Sequence, residues 1–197
     1  KSLYYDMTNK DIHIADTQRW LERAVIGLNL CPFAKAVHVK GLIRYFVSEA
    51  TTSAELLTDL KNELNSLANI DLAGVSIAYD TTLLIAPYCL QDFLDFNDFL
   101  AKAEKIIAKM DLEGVIQLAN FHPHYQFSGT EPDDITNFTN RAPYPTLHLL
   151  RESSIDQAVE AFPEAEAIFE VNMATMERLG LTGWDALQVG ATLNATP

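Results

Sequence analysis

Val115-Ile116-Gln117-Leu118-Ala119-Asn120-Phe121 leads into His122-Pro123-His124-Tyr125, and Thr146-Leu147-His148-Leu149-Leu150 follows after a long polar connection. Both apolar runs are short, carry branched or aromatic side chains and are bounded by prolines, so they read as strands. From Asn120 to His148 the chain holds three of its five histidines, the adjacent Asp133 and Asp134, Arg141 and four prolines. Ordered connections on a rigid scaffold are where binding and catalytic groups concentrate, so this stretch is the first place to look for a site.

Working outward, Gly41-Leu42-Ile43-Arg44-Tyr45-Phe46-Val47 predicts a strand. Thr52-Ser53-Ala54-Glu55 fits a capping box that opens a helix with Leu56, Leu57, Leu60, Leu64 and Leu67 in its apolar stripe. One or two further strands fit between Val75 and Ala86, the clearest being Thr82-Leu83-Leu84-Ile85-Ala86. Asp92 or Asp95 caps a helix whose buried face carries Phe96, Phe99, Leu100, Ala103, Ile107 and Met110. Near the start, Asp16 suits the N-cap of a helix over 17–28, and Cys31-Pro32 suits the start of another, with the thiol at its N-cap. Near the end, Ser153 and Asp156 mark a helix start, Pro163 opens a long last helix and Gly180 closes it. The order of elements predicts an α+β fold, with α/β as the alternative: a single-domain sandwich of a four- to five-stranded mixed sheet with packed helices. That domain is expected over 14–190, between a flexible N-terminus or tag remnant over 1–13 and a flexible C-terminus over 191–197.

A chain of 197 residues, 48% hydrophobic, can bury a sizeable core without disulfides or a structural metal. The formal net charge of -13 argues against nucleic acid or an anionic membrane as partner, because phosphate binding needs clustered Lys and Arg. Eleven carboxylates from Glu131 to Asp185 face three arginines, which reads as a solvated acidic face. Cys31 and Cys89 match neither a zinc nor a redox spacing and suit a reducing cytoplasm. No run approaches the roughly 18 apolar residues of a membrane span, and the first residues have no signal-peptide core, so a cytosolic protein is expected.

His122 stands where a strand becomes a loop, stiffened by Pro123, and is a candidate general base. His124, two residues on, shares its face in an extended backbone. His148 alternates away from Leu147 and Leu149 and faces the same space as His122 if the two strands pair. Asp133 suits the N-cap of a helical turn over 132–137, leaving Asp134 to orient an imidazole or bind a metal. The fork of Arg141 suits an anion or one of these aspartates. Cys31 at a helix N-terminus is expected to have a lowered pKa and to act as nucleophile, with Asn29 and Asn140 beside the substrate.

Asn29-Leu30-Cys31-Pro32-Phe33-Ala34, Gln117-Leu118-Ala119-Asn120-Phe121-His122-Pro123 and Thr139-Asn140-Arg141-Ala142-Pro143-Tyr144-Pro145-Thr146-Leu147-His148-Leu149-Leu150-Arg151-Glu152 resemble the signature segments of the family catalogued as domain of unknown function 1415. The resemblance covers roughly Thr17 to Phe162. It implies a bacterial cytosolic protein and brings no activity, cofactor or catalytic residue with it.

Three functions follow from the residues. The first is a small-molecule enzyme of transferase or hydrolase type acting on an anionic substrate, with Cys31 as nucleophile, His122 as base, Asp134 as orienter and Asn29, Asn140, Arg141 and His148 around the substrate. A metal-dependent enzyme is the second, a divalent metal being held by ligands from His122, His124, His148, Asp133 and Asp134. The third is a binding or assembly module in which the polar stretch is a rigid, internally hydrogen-bonded loop.

Overall fold

The computed structural model describes residues 7–69, 79–162, 164 and 167–193. Within them, β1 (Ile43–Val47), β2 (Thr81–Ile85), β3 (Ile116–Phe121) and β4 (Thr146–Arg151) form one mixed sheet in the order β1-β2-β4-β3. β1 and β2 are parallel, and β4 is antiparallel to both of its neighbours. The polar connection therefore does a topological job: it carries the chain from β3 back into the slot beside β2.

Two helices cross over on one face. α3 (Ser53–Ala68) starts at the expected capping box, with Thr52 accepting from the Glu55 amide and Glu55 answering at Thr52. α4 (Phe93–Lys109) starts at Asp92, whose carboxylate accepts the amides of Leu94 and Asp95. Their stripes, among them Leu56, Leu60, Leu64, Phe96, Phe99 and Ala103, close over Leu84, Leu147, Leu149 and Ile116 of the sheet, and all of these are buried. Side chains alternate along a strand, so the neighbouring residues Tyr45, Leu83, His148 and Ala119 make one row on the opposite face. That face is covered by α1 (Asn9–Trp20), a π-helical continuation over Leu21–Ile26, and the end of α6 (Ile168–Leu187), through Trp20, Leu21, Ala24, Val25 and Val189. The fold is a single-domain α+β sandwich of a mixed sheet with packed helices, as the order of elements predicts.

The ends of the molecule depart from that prediction. α1 begins at Asn9, capped by Thr8 and Asp11 in a capping box, so ordered structure starts before residue 14. Asp16 is no cap. It lies inside α1, 1% exposed, and accepts from Tyr144 Oη at 2.6 Å, Thr192 N at 2.7 Å, Thr192 Oγ1 at 2.5 Å and Arg19 Nη2 at 2.6 Å. Arg19 also donates to the carbonyls of Gln188 and Gly190. This clasp ties 188–192 to α1, so the ordered body also runs past residue 190. Gly180, with φ 65° and ψ 174°, ends the first helical segment of α6 as expected, but a second segment follows it directly to Leu187. α5 (Glu152–Ala161) begins directly from β4. Pro163, the expected opening of the last helix, and 75–78, where a further strand was expected, lie outside the described residues.

Candidate functional site

The polar connection folds onto itself. His122 is fully buried, with Nε2 2.9 Å from the Leu90 carbonyl, which can only accept, so Nε2 carries the hydrogen. Its Nδ1 in turn accepts the His124 amide at 3.0 Å. Rings of Phe93 and Phe96 from α4 pack on it at 5.3 and 5.0 Å. Burial pushes its pKa down to about 4, against the pull of the Leu90 carbonyl. With both nitrogens engaged, His122 has no lone pair for a substrate, so the general-base assignment does not stand.

Its neighbours are equally committed. Arg141 donates from Nε to the Tyr125 carbonyl at 3.2 Å and from Nη2 to that of Pro132 at 2.6 Å, with its guanidinium 4.0 Å above the Phe138 ring. Two of its N–H groups thereby staple the loop. Asp134, not Asp133, caps the 3-10 helix over Ile135–Asn140, accepting from Thr136 N and Oγ1 at 2.9 and 2.8 Å. Asp133 is exposed. Asn140 gives its carbonyl to the His122 amide at 3.2 Å. The buried Asn137 is the hub that the sequence did not single out: its Oδ1 accepts from Phe127 N and Thr130 Oγ1, and its Nδ2 donates to the Glu131 carbonyl. Exposed Asn29 sits at φ 53° in the turn that ends the π-helical stretch. Asp133, Asp134, His122, His124 and His148 are not gathered, and among the described residues no group of three His, Cys, Asp or Glu side chains could hold a metal ion.

His148 is different. Its Nε2 lies 2.7 Å from Thr81 Oγ1, and the single hydrogen of that hydroxyl goes to the Leu149 carbonyl, also at 2.7 Å. Thr81 can therefore only accept from His148, which fixes the imidazole as the Nε2–H tautomer and leaves Nδ1 as a lone pair with no partner. Burial lowers the pKa of His148 to about 4, so it is neutral at pH 7. On this face His148, Tyr45, Ala119, Phe121 and Leu150 are half-buried, while Leu83, between Tyr45 and His148, is buried.

Cys31 borders that face, packed against the same buried cluster as Ile43, Tyr45 and Phe121, and the Phe121 ring lies 6.3 Å from that of His148. His122 is on the α4 side, so the sheet divides it from Cys31, and His148 is the imidazole that shares the thiol's face. Cys31 precedes α2 (Ala34–Val39), where its carbonyl accepts the Ala34 amide at 3.2 Å. Burial raises its pKa, and the amides of Phe33 and Ala34 pull the other way without prevailing, so the expectation of a lowered pKa is reversed. Tyr45 lies in the same row as His148, with a buried hydroxyl that has no hydrogen-bond partner among the described residues.

Two open clefts lie elsewhere, at the carboxyl ends of β1 and β2. One of about 870 Å³ is lined by residues including Lys10, Glu49, Glu55, Asp59 and Tyr88, and one of about 340 Å³ includes Cys89 and Asp95. Volume alone does not make these the better site. Glu55 is spent on the amides of Thr51 and Thr52, Asp59 accepts from Ser48, and burial with nearby Glu55 and Asp59 pushes the Cys89 thiol up to about 11. Behind Tyr88, the buried His13 bonds Tyr88 Oη at 3.1 Å.

No helix among the described residues is long and apolar enough to cross a membrane. Neither the curated proteins nor the solved structures contain a significant match to the chain. The family described as "Protein of unknown function (DUF1415)" matches residues 12–186, the span holding the strands, the polar connection, Cys31 and His148, and the chain belongs to that family.

Proposed function

We propose that the protein is a small-molecule enzyme of thiol type, with Cys31 as nucleophile and His148 in place of His122 as its general base. The observation that carries this reading is the imidazole of His148: one nitrogen is locked by Thr81, the other has no partner among the described residues, and the ring stands on the sheet face that Cys31 borders. A general base requires a ring that is held still with one nitrogen free to take the proton. Burial keeps thiol and imidazole both neutral at rest, so the proton moves from Sγ to Nδ1 as the sulfur attacks and not before. A nucleophile used as a free thiol fits a cytoplasmic setting, and both cysteines are free.

The rate of Cys31 alkylation by iodoacetamide, followed by peptide mass mapping at pH 7, tests the pairing without a known substrate. His148→Gln should slow labelling of Cys31 at least about tenfold, since the acceptor for the thiol proton is gone. Equal rates in the two proteins would sink the assignment.

A further inference from the structure

We propose that the cleft of about 870 Å³ at the carboxyl ends of β1 and β2 binds a small zwitterion, an amino acid or short peptide, with its carboxylate toward α1 and its ammonium toward α3. This site is separate from the Cys31–His148 pair and does not depend on it.

The sheet accounts for the place of the cleft. β1 and β2 are parallel, and an open sheet presents ligand sites at the carboxyl ends of its parallel strands. Phe46 and Val47 point to opposite faces of β1, an edge strand, yet both line the cleft, so it wraps around the end of that strand. α1 and α3 cover opposite faces of the sheet. The cleft therefore has Lys10 of α1 on one side and Glu55 and Asp59 of α3 on the other, with Glu49 in the connection between β1 and α3. Its volume falls within the roughly 300–1,000 Å³ of small-molecule sites.

These charges are not matched within the described chain. The ion pairs among the described residues join Arg19 to Asp16, His38 to Glu22 and Arg44 to Glu63, so Lys10, Glu49, Glu55 and Asp59 enter none of them. Glu55 uses Oε2 for the amides of Thr51 and Thr52, and Asp59 uses Oδ2 for the Ser48 hydroxyl. Each keeps a second oxygen with no partner among the described residues.

The α1 side also holds a spare donor. His13 is 3% exposed, its Nε2 lies 3.1 Å from Tyr88 Oη, and its Nδ1 has no partner among the described residues. Burial lowers the pKa of His13 against the pull of Asp16, so the ring is neutral at pH 7 and carries one hydrogen. Imidazole and phenol thus hold two hydrogens and share one hydrogen bond, which leaves one hydrogen over. On Nδ1 it would be a buried N–H without an acceptor, which folded proteins tolerate less than an unpaired acceptor. The ring hydrogen is therefore on Nε2, and Tyr88 accepts it. Tyr88 lines the cleft, so its phenolic hydrogen is left to whatever the cleft holds. Lys10 stands one turn before His13 on the same face of α1, and the amides of Asn9 and Lys10, at the first two helical positions, are left unbonded by the capping box.

A carboxylate beside α1 meets an ammonium, a phenolic hydrogen and helix amides, and an ammonium beside α3 meets carboxylates. A plain anion would face three carboxylates and a plain cation would face Lys10. A molecule that carries both groups gives each side its complement.

Trialanine is the probe, titrated into the full chain at pH 7 by calorimetry, with alanine beside it to tell a peptide from a free amino acid. At least one of the two should bind with a Kd below about 10 mM. The N-acetylated amide of the binding probe, which has neither charge, should bind at least about tenfold more weakly. Tyr88→Phe and Lys10→Met should each weaken the probe roughly fivefold and leave its amide, which lacks the carboxylate, within about twofold. Asp59→Asn, which keeps an acceptor for Ser48, should weaken the probe roughly fivefold and leave its N-acetyl form within about twofold. Failure of both probes to bind below that limit, or equal binding by the doubly blocked form, overturns the inference. Losses in the variants that do not follow the blocked group overturn it as well.

Discussion

His122 and His148 are both imidazoles in the body of the protein, and hydrogen bonding separates their roles. His122 joins a carbonyl to an amide across the start of the polar connection, and that carbonyl belongs to Leu90, held in the left-handed region at φ 57°. His122→Ala should cost about 3 kcal/mol in a urea titration, since it opens a cavity and strands both backbone partners. Titration gives a second check. The folded pKa of about 4 lies below the unfolded value of 6.5, so the unfolded chain binds more protons between those limits. The contribution of His122 is therefore complete above pH 6.5, falls as pH drops, and is exhausted near pH 4. About 1.4 kcal/mol per unit makes the loss on the order of 3 kcal/mol. Its ring proton signals should stay at their neutral position at pH 5 in an NMR titration, and a midpoint near 6.5 would contradict the buried, doubly bonded ring. The sequence put His122 at the right place, a strand end, but for the wrong purpose. Alternation along a strand says which face a residue takes and not what waits there, so neither the Thr81 lock on His148 nor the unpartnered Tyr45 could be read from spacing.

At the scale of elements, capping chemistry was the most legible part. Thr52 with Glu55, and Asp92, start α3 and α4 as their side chains predict, because a cap is satisfied within three residues of itself. Asp16 looks like a cap and is not one, since its partners Tyr144 and Thr192 lie 128 and 176 residues away. Asp16→Ala should cost about 3 kcal/mol, as Tyr144, Arg19 and Thr192 lose their acceptor in a buried setting, and limited proteolysis should then cut within 188–193. Thr192→Val removes one donor and should cost about 1 kcal/mol. Gly180 was legible as a helix breaker, though a second helical segment follows it directly. At φ 65° it needs a residue without Cβ, and Gly180→Ala should lower stability by about 1 kcal/mol in the same titration.

For the molecule as a whole, the sheet separates two environments of unlike character. The face under α3 and α4 is a leucine and phenylalanine core, whereas the face under the terminal helices holds His148, Tyr45 and Thr81 and is bordered by Cys31. Native-state hydrogen exchange should be slowest in β2 and β4, the central strands, and faster in β1, an edge strand. Faster exchange in β2 than in β1 would contradict the strand order. Periodicity sufficed for the architecture, because each apolar stripe has to find a sheet to cover. It could not say that Cys31 borders the face that carries His148 while His122 takes the other, because that depends on which face each strand end turns toward.

The Asp16 clasp also sets a timetable. Its carboxylate accepts from Thr192, 176 residues further along the chain. At 5–20 residues per second a ribosome needs roughly ten to thirty-five seconds to supply that partner. Throughout that interval the first helix carries an unsatisfied acid on the side it must bury, so it docks late during synthesis, and the sheet face that holds His148 is the last part of the molecule to be covered.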